Sequence, residues 1–239
     1  MIELKNVSKS YGGKVKAVDN VTLTIEPGSV YGFLGPNAAG KTTTIKLITG
    51  VLQADEGSIA VSGYDIEAAD LEVKKRIGFV PDNPDAFLSL TGLEYLNFMA
   101  DMYEVSEDDR RTQIDRLSKL LSMDQALDDK LLSYSHGMRQ KIVIIGSLLH
   151  DPPVWILDEP MSGLDPKSAR VLKRLMQEHA QTGNSVFFST HVLEVAETVC
   201  DKIAVIDKAK ILYAGDLSEM KETAGESLES IFLEMTDNE

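Results

Sequence analysis

The chain has 239 residues, 43% hydrophobic and 26% charged, proportions that exclude wholesale disorder and a length that buries a core without disulfide or metal staples. Lys and Arg number 24 against 38 Asp and Glu, a net charge of −14 that repels phosphate backbones and anionic lipid alike, so no nucleic acid is expected as a partner. The single cysteine, Cys200, excludes an intramolecular disulfide and suits a reducing cytoplasm.

At the start, Ile2-Glu3-Leu4 alternates as a strand does and lacks the basic-then-apolar layout of a signal peptide, so the chain is expected to stay where it is made. A second alternating run, Val21-Thr22-Leu23-Thr24-Ile25, follows a Gly12-Gly13 turn and predicts an antiparallel, partly exposed sheet. After Pro27-Gly28 an apolar run, Val30-Tyr31-Gly32-Phe33-Leu34, leads through a glycine-bounded loop into helical spacing over 43–48. Strand, loop and helix in that order open a parallel-sheet unit. Residues 91–132 carry helical periodicity (Leu93, Leu96, Ala100, then Ile114, Leu117, Leu120, Leu121) among many charges and read as a helical insertion. Buried parallel strands are then expected at 154–157, 185–188 and 203–206, with a helix over 171–180 between two of them. The longest apolar run, 142–149, contains Gly146 and Ser147 and falls far short of the roughly 20 residues that span a bilayer. There is no internal repeat or linker, so a single domain over 1–239 is expected, with 1–86 and 151–239 forming its core and 87–150 its helical part.

Gly35-Pro36-Asn37-Ala38-Ala39-Gly40-Lys41-Thr42 matches G-x-x-x-x-G-K-T and lies between a predicted strand and a predicted helix. Backbone N–H groups of such a loop, with the positive end of the helix beginning near Lys41, cradle the β- and γ-phosphates of a nucleotide. Lys41 adds a charge and Thr42 an oxygen for Mg²⁺. The loop alone admits kinases, GTPases, helicases and transporters. Val154-Trp155-Ile156-Leu157-Asp158-Glu159 is an apolar strand ending in two acids, which brings carboxylates to the sheet edge beside the loop. Asp158 there can hold Mg²⁺ through its water shell and Glu159 can polarise an attacking water.

Upstream of that strand lies Tyr134-Ser135-His136-Gly137-Met138-Arg139-Gln140, which resembles the signature motif of ABC ATPases, in the order loop, signature, acidic strand that the family shows. Ser135 suits a helix N-cap, whose first turn would offer N–H groups to an anion. The resemblance implies that Ser135 and Gly137 meet the γ-phosphate of ATP bound to the opposite subunit. It also makes Ser162-Gly163-Leu164-Asp165 the loop that communicates across a dimer, and His191, after Ser189-Thr190, the switch histidine that contacts the γ-phosphate and helps hold the attacking water in place. Tyr11 matches the aromatic that stacks on adenine with Val18 beside it, although a surface tyrosine reads equally well. The nucleotide set becomes Tyr11, Val18, Asn37, Ala38, Ala39, Gly40, Lys41, Thr42, Thr43, Ser135 and Gly137, with Thr42, Asp82 and Asp158 toward Mg²⁺.

The implied fold is α/β: a P-loop NTPase (RecA-like) core with a parallel central sheet, an N-terminal antiparallel β subdomain and an inserted α-helical subdomain. The implied activity is ATP hydrolysis driving transport. The partners are a second cassette, a copy or a different chain, and an integral membrane permease that tethers the protein to the cytoplasmic face of the membrane. Residues 227–236 resemble the short closing helix of the subclass serving exporters of drugs, antibiotics and polysaccharides, which points to export. Three positions depart from the pattern. Asp82 stands where glutamine is usual, Ala38 where glycine is common, and His136 replaces the first signature glycine. Ala38 is harmless at negative φ and costly otherwise. A non-transport ABC ATPase and a low-turnover regulatory subunit remain the competing readings.

Overall fold

In the computed structural model, which describes residues 1–13, 15–224 and 227–237, two sheets and their flanking helices share an extensive apolar interior. The first sheet is antiparallel, in the order β2 (Val15–Ile25), β1 (Ile2–Tyr11), β4 (Glu56–Val61), β5 (Tyr64–Asp65). Both of its leading strands run well beyond the short alternating stretches expected, because register shifts after Leu4, Val7 and Lys9 keep them paired where strict alternation fails. Its inner face (Ile2, Leu4, Val21, Leu23, Ile25, Ile59, Val61) packs on α1 (Lys41–Ile48) through Ile45, Leu47 and Ile48.

The second sheet has the order β10 (Lys210–Asp216), β9 (Lys202–Asp207), β3 (Val30–Leu34), β8 (Ser185–Thr190), β7 (Val154–Leu157), β6 (Ile77–Val80). All of its pairings are parallel except that of β10, which returns antiparallel on β9. β3, β7 and β8 are buried throughout, as short β-branched and aromatic runs covered on both faces must be. β6 and β10 lie at the two edges, and neither carries a periodicity that sets it apart in the sequence. Because β3, β6, β7 and β8 point the same way, the loops after Leu34, Val80, Leu157 and Thr190 emerge at one edge of the sheet.

The segment with helical periodicity forms α3 (Gly92–Met102) and α4 (Glu107–Leu120), followed by α5 (His136–Leu148). A capping box at Thr91 and Glu94 starts α3, and Ser106 caps α4. Tyr95, Leu96, Ala100, Ile114 and Leu117 join Ile142, Ile144 and Ile145 of α5, and the same apolar cluster continues into Trp155, Leu157 and Phe188 of the sheet. The short α2 (Asp70–Lys74) precedes β6, while α6 (Pro166–Gln181) joins β7 to β8. α7 (Leu193–Val199) follows β8, and α8 (Leu217–Ala224) with α9 (Leu228–Asp237) closes the chain. Among the described residues no helix is long and apolar enough to cross a membrane.

Candidate nucleotide site

β3 delivers the chain at Leu34 to the glycine-bounded loop, and α1 begins at Lys41. Gly40 caps that helix at φ 115, a conformation closed to other residues here because a Cβ would run into the Ala17 carbonyl. Ala38 takes φ 65, so its departure from glycine falls on the costly side. Lys41 is only 7% exposed. Its ammonium donates to the Gly35 and Pro36 carbonyls at 2.6 and 3.1 Å and lies 3.6 Å from Glu159 Oε1.

An open cleft of about 430 Å³ lies over this loop. The expected residues Asn37, Ala38, Gly40, Lys41, Thr42, Thr43, Asp82, Glu159 and His191 line it, together with Ala17, Pro36 and Ser162. Asp158 sits just beneath the wall at 2% exposure, accepting from Ser189 Oγ at 2.6 Å and from the Thr42 hydroxyl. Burial pushes its carboxyl above the usual range despite those bonds, and the negative charges of Asp82 and Glu159 push the same way. A site that crowds carboxylates in this way gains from a cation. Among the described residues no cluster of three or more acidic, histidine or cysteine side chains could hold a metal. Hydroxyl and carboxylate oxygens at Thr42, Asp158 and Asp82 fit the sparse protein share of a Mg²⁺ shell whose remaining ligands are phosphate and water.

His191 follows β8 and donates through Nδ1 to Glu159 Oε2 at 3.0 Å. Glu159 itself adopts φ 46, with its N–H held by Ser189 Oγ at 2.9 Å. Ser189 thus anchors both acids after β7. It was visible in the sequence only as the neighbour of Thr190-His191, and its double role depends on β8 lying beside β7.

Two of the expected nucleotide residues lie off the cleft wall. Val18 is 0% exposed, inside the cluster formed with Val21, Phe33 and Ala39, while its neighbour Ala17 lines the cleft. Ala39 is likewise turned inward, with its N–H on the Pro36 carbonyl and its own carbonyl accepting from Ala209. Tyr11 stands 46% exposed at the end of β1, outside the cleft wall.

Ser135 and Gly137 are also absent from this wall. Ser135 caps α5 by accepting from Met138 N–H at 3.2 Å, which leaves the start of the helix at the surface. Gly137 abuts the loop after β7, where a Cβ would run into the Gly163 carbonyl. Gly163, at φ 73, lies against the His136 ring, so the two segments touch closely within one chain. Asp165 caps α6, and its hydrogen bonds to Ser168 and Lys141 hold its carboxyl well below the usual carboxylate range.

A phosphate-binding loop between a central parallel strand and a helix, facing two acids at the end of a neighbouring strand, defines a P-loop nucleoside triphosphatase. The family model described as ABC transporter matches residues 18–162. The uncharacterized ABC transporter ATP-binding protein YhcH of Bacillus subtilis is 37% identical over 93% of this chain and 71% of its own length. NatA of the same organism, an ABC transporter ATP-binding protein, is 34% identical over 98% and 97%. A solved ATP-binding subunit of an ABC transporter superposes with a TM-score of 0.93 at 29% identity, over 98% of this chain and 99% of its own. A dimeric cassette, MJ0796, bound to ADP and Pi in a post-hydrolysis state superposes at 0.80 and 26% identity, over 91% and 99%. The chain belongs to the ATP-binding subunits of ABC transporters, and its activity is the hydrolysis of ATP that powers transport.

Proposed function

We propose that this subunit drives export, and that its working site is completed by a second cassette. The observation that carries the shared site is that the capped start of α5 is exposed and takes no part in the wall of the cleft over the phosphate loop of the same chain. A helix N-terminus suited to an anion, exposed and not part of its own chain's cleft wall, is explained by an anion supplied from outside. In this reading Asn37, Ala38, Gly40, Lys41, Thr42 and Thr43 hold the phosphates of ATP on one protomer, while Ser135 and Gly137 of its mate close over the γ-phosphate. Tyr11, exposed on β1, stacks on adenine. Thr42, Asp158 and Asp82 hold Mg²⁺, which supplies charge neutralisation for the transferring phosphoryl group.

Glu159 acts as the base that orients the attacking water, and His191 fixes its carboxylate through the 3.0 Å bond. Ser189 supports both acids from below. Lys41, drawn toward loop carbonyls and Glu159 in this structure, has the reach to turn its charge onto phosphate oxygens. Residues 87–150 form the helical subdomain that carries the signature, and 1–86 with 151–239 the core. A permease in the membrane holds the pair at the cytoplasmic face.

Export is supported by the names of relatives that include a linearmycin resistance ATP-binding protein of Bacillus subtilis and a Nod factor export ATP-binding protein of Burkholderia orbicola. The test is Glu159→Gln, which should bind ATP yet lose turnover by about 10²- to 10⁴-fold. With ATP and Mg²⁺ it should accumulate as a dimer in sedimentation, whereas the same variant carrying Ser135→Arg should stay monomeric. Persistent monomers in the first case, or dimers in the second, would refute the shared site. Purification from membranes should bring an integral membrane subunit with the chain.

A further inference from the structure

The catalytic turn is anchored from a second side by a residue that no nucleotide reaches. Gln140, on the inner face of α5 and 1% exposed, directs its side-chain amide at the carbonyl of Pro160, the residue after Glu159, with Nε2 donating at 3.4 Å. Its Oε1 is buried and makes no hydrogen bond. A buried acceptor left bare is costly, and an apolar side chain of the same size would avoid that cost. Gln140 is therefore a poor choice for packing alone.

What it touches explains it. Glu159 holds φ 46 although L residues resist that region and residues preceding proline are pushed toward extended backbone. Pro160 contributes no N–H, so its carbonyl is the polar handle that follows Glu159. The Glu159 N–H is pinned to Ser189 and its carbonyl takes the Ser162 N–H at 3.1 Å. Gln140 pins the next peptide. We infer that Gln140 is a positioning residue for Glu159: by holding the Pro160 carbonyl to α5 it keeps the left-handed turn that aims the Glu159 carboxylate into the cleft. α5 is the helix that Ser135 caps five residues earlier, so a shift of that helix reaches the acid of the same chain through this side chain. The inference rests on Glu159 being the catalytic base.

The experiment compares Gln140→Met, which keeps the volume and removes the donor, with wild type and Glu159→Gln in steady-state ATP hydrolysis and thermal unfolding. Gln140→Met should lower kcat by about 10- to 100-fold, the scale of a misaimed catalytic group. KM for ATP should hold within about twofold, since binding groups are untouched. Its Tm should stay level or rise, because the bare acceptor is gone. Wild-type kcat, or a loss of kcat matched by a fall in Tm, would overturn the inference. Gln140→Leu is read by the same criteria if the methionine variant does not fold. An inactive Glu159→Gln beside a fully active Gln140→Met defeats this inference alone, whereas near-normal turnover of Glu159→Gln defeats the base assignment and this inference with it.

Discussion

Ala38 and His150 show how single positions carry costs that their neighbours tolerate. Ala38 sits at φ 65 on the exposed crest of the phosphate loop, where a Cβ is opposed by its own carbonyl. Ala38→Gly should therefore stabilise the protein by about 1 kcal/mol, raising Tm by about 2–4 °C in a calorimetric scan. His150 stacks face to face on Tyr103, ring centroids 3.6 Å apart, with both ring nitrogens buried and unbonded. The Ile77 carbonyl, which would favour the charged ring, takes the Tyr103 hydroxyl at 3.2 Å. Burial pulls the His150 pKa down to about 4. The unfolded chain binds this proton near pH 6.5 and the folded one only near 4, so the contribution is whole above pH 6.5 and lost progressively as the pH falls toward 4. The loss amounts to roughly 2–3 kcal/mol. His150→Phe keeps the stack and removes the proton, so its urea midpoint should fall less between pH 7 and pH 4.5 than that of wild type. Equal falls would show that other groups govern acid sensitivity.

Among the elements, α9 has the clearest mechanical consequence. Leu228 and Ile231 pack into the cluster of Leu34, Ala196, Ile203 and Val205. That cluster joins the strand before the phosphate loop to α7, which begins two residues after His191. Leu228, fully buried, would leave an uncompensated charge if replaced by Asp. Leu228→Asp should destabilise the protein by about 3 kcal/mol or more and raise hydrogen exchange in α7 before it does so in β7. Uniform change across the sheet would mean that α9 supports the whole fold and not this corner. The same scale separates legible from illegible elements. β7 and β8 could be read directly, because a short apolar run covered on both faces has one plausible fate. β6, with four residues at one edge, and β10, which alternates only weakly at the other, gain their identity from the strands they pair with. The extension of β1 and β2 depends on register shifts that no alternation rule anticipates.

For the whole molecule, the excess of acid over base sets the terms of assembly. Two protomers of charge −14 repel each other at long range, and salt screens that repulsion. The ATP-loaded Glu159→Gln dimer should therefore form more readily at about 300 mM salt than at about 50 mM, where the Debye length is longer. Sedimentation at the two salt levels measures it, and a dimer that weakens as salt rises would mean that interfacial ion pairs outweigh the net charge. Much of the candidate site could be read before any fold was known. The phosphate loop, Asp158 and Glu159 are marked by contiguous residues whose backbone conformation is set locally by glycine or by strand burial. Those signals lie within a few positions of the residues they specify. Others required the fold. Which of Ala17 and Val18 faces the cleft, how Ala39 turns inward, why Ser189 holds two acids and what Gln140 is for are decided by strands and helices distant in sequence becoming neighbours. Local chemistry is written in adjacent letters, whereas the direction of a side chain is settled only when packing chooses what lies on each side of it.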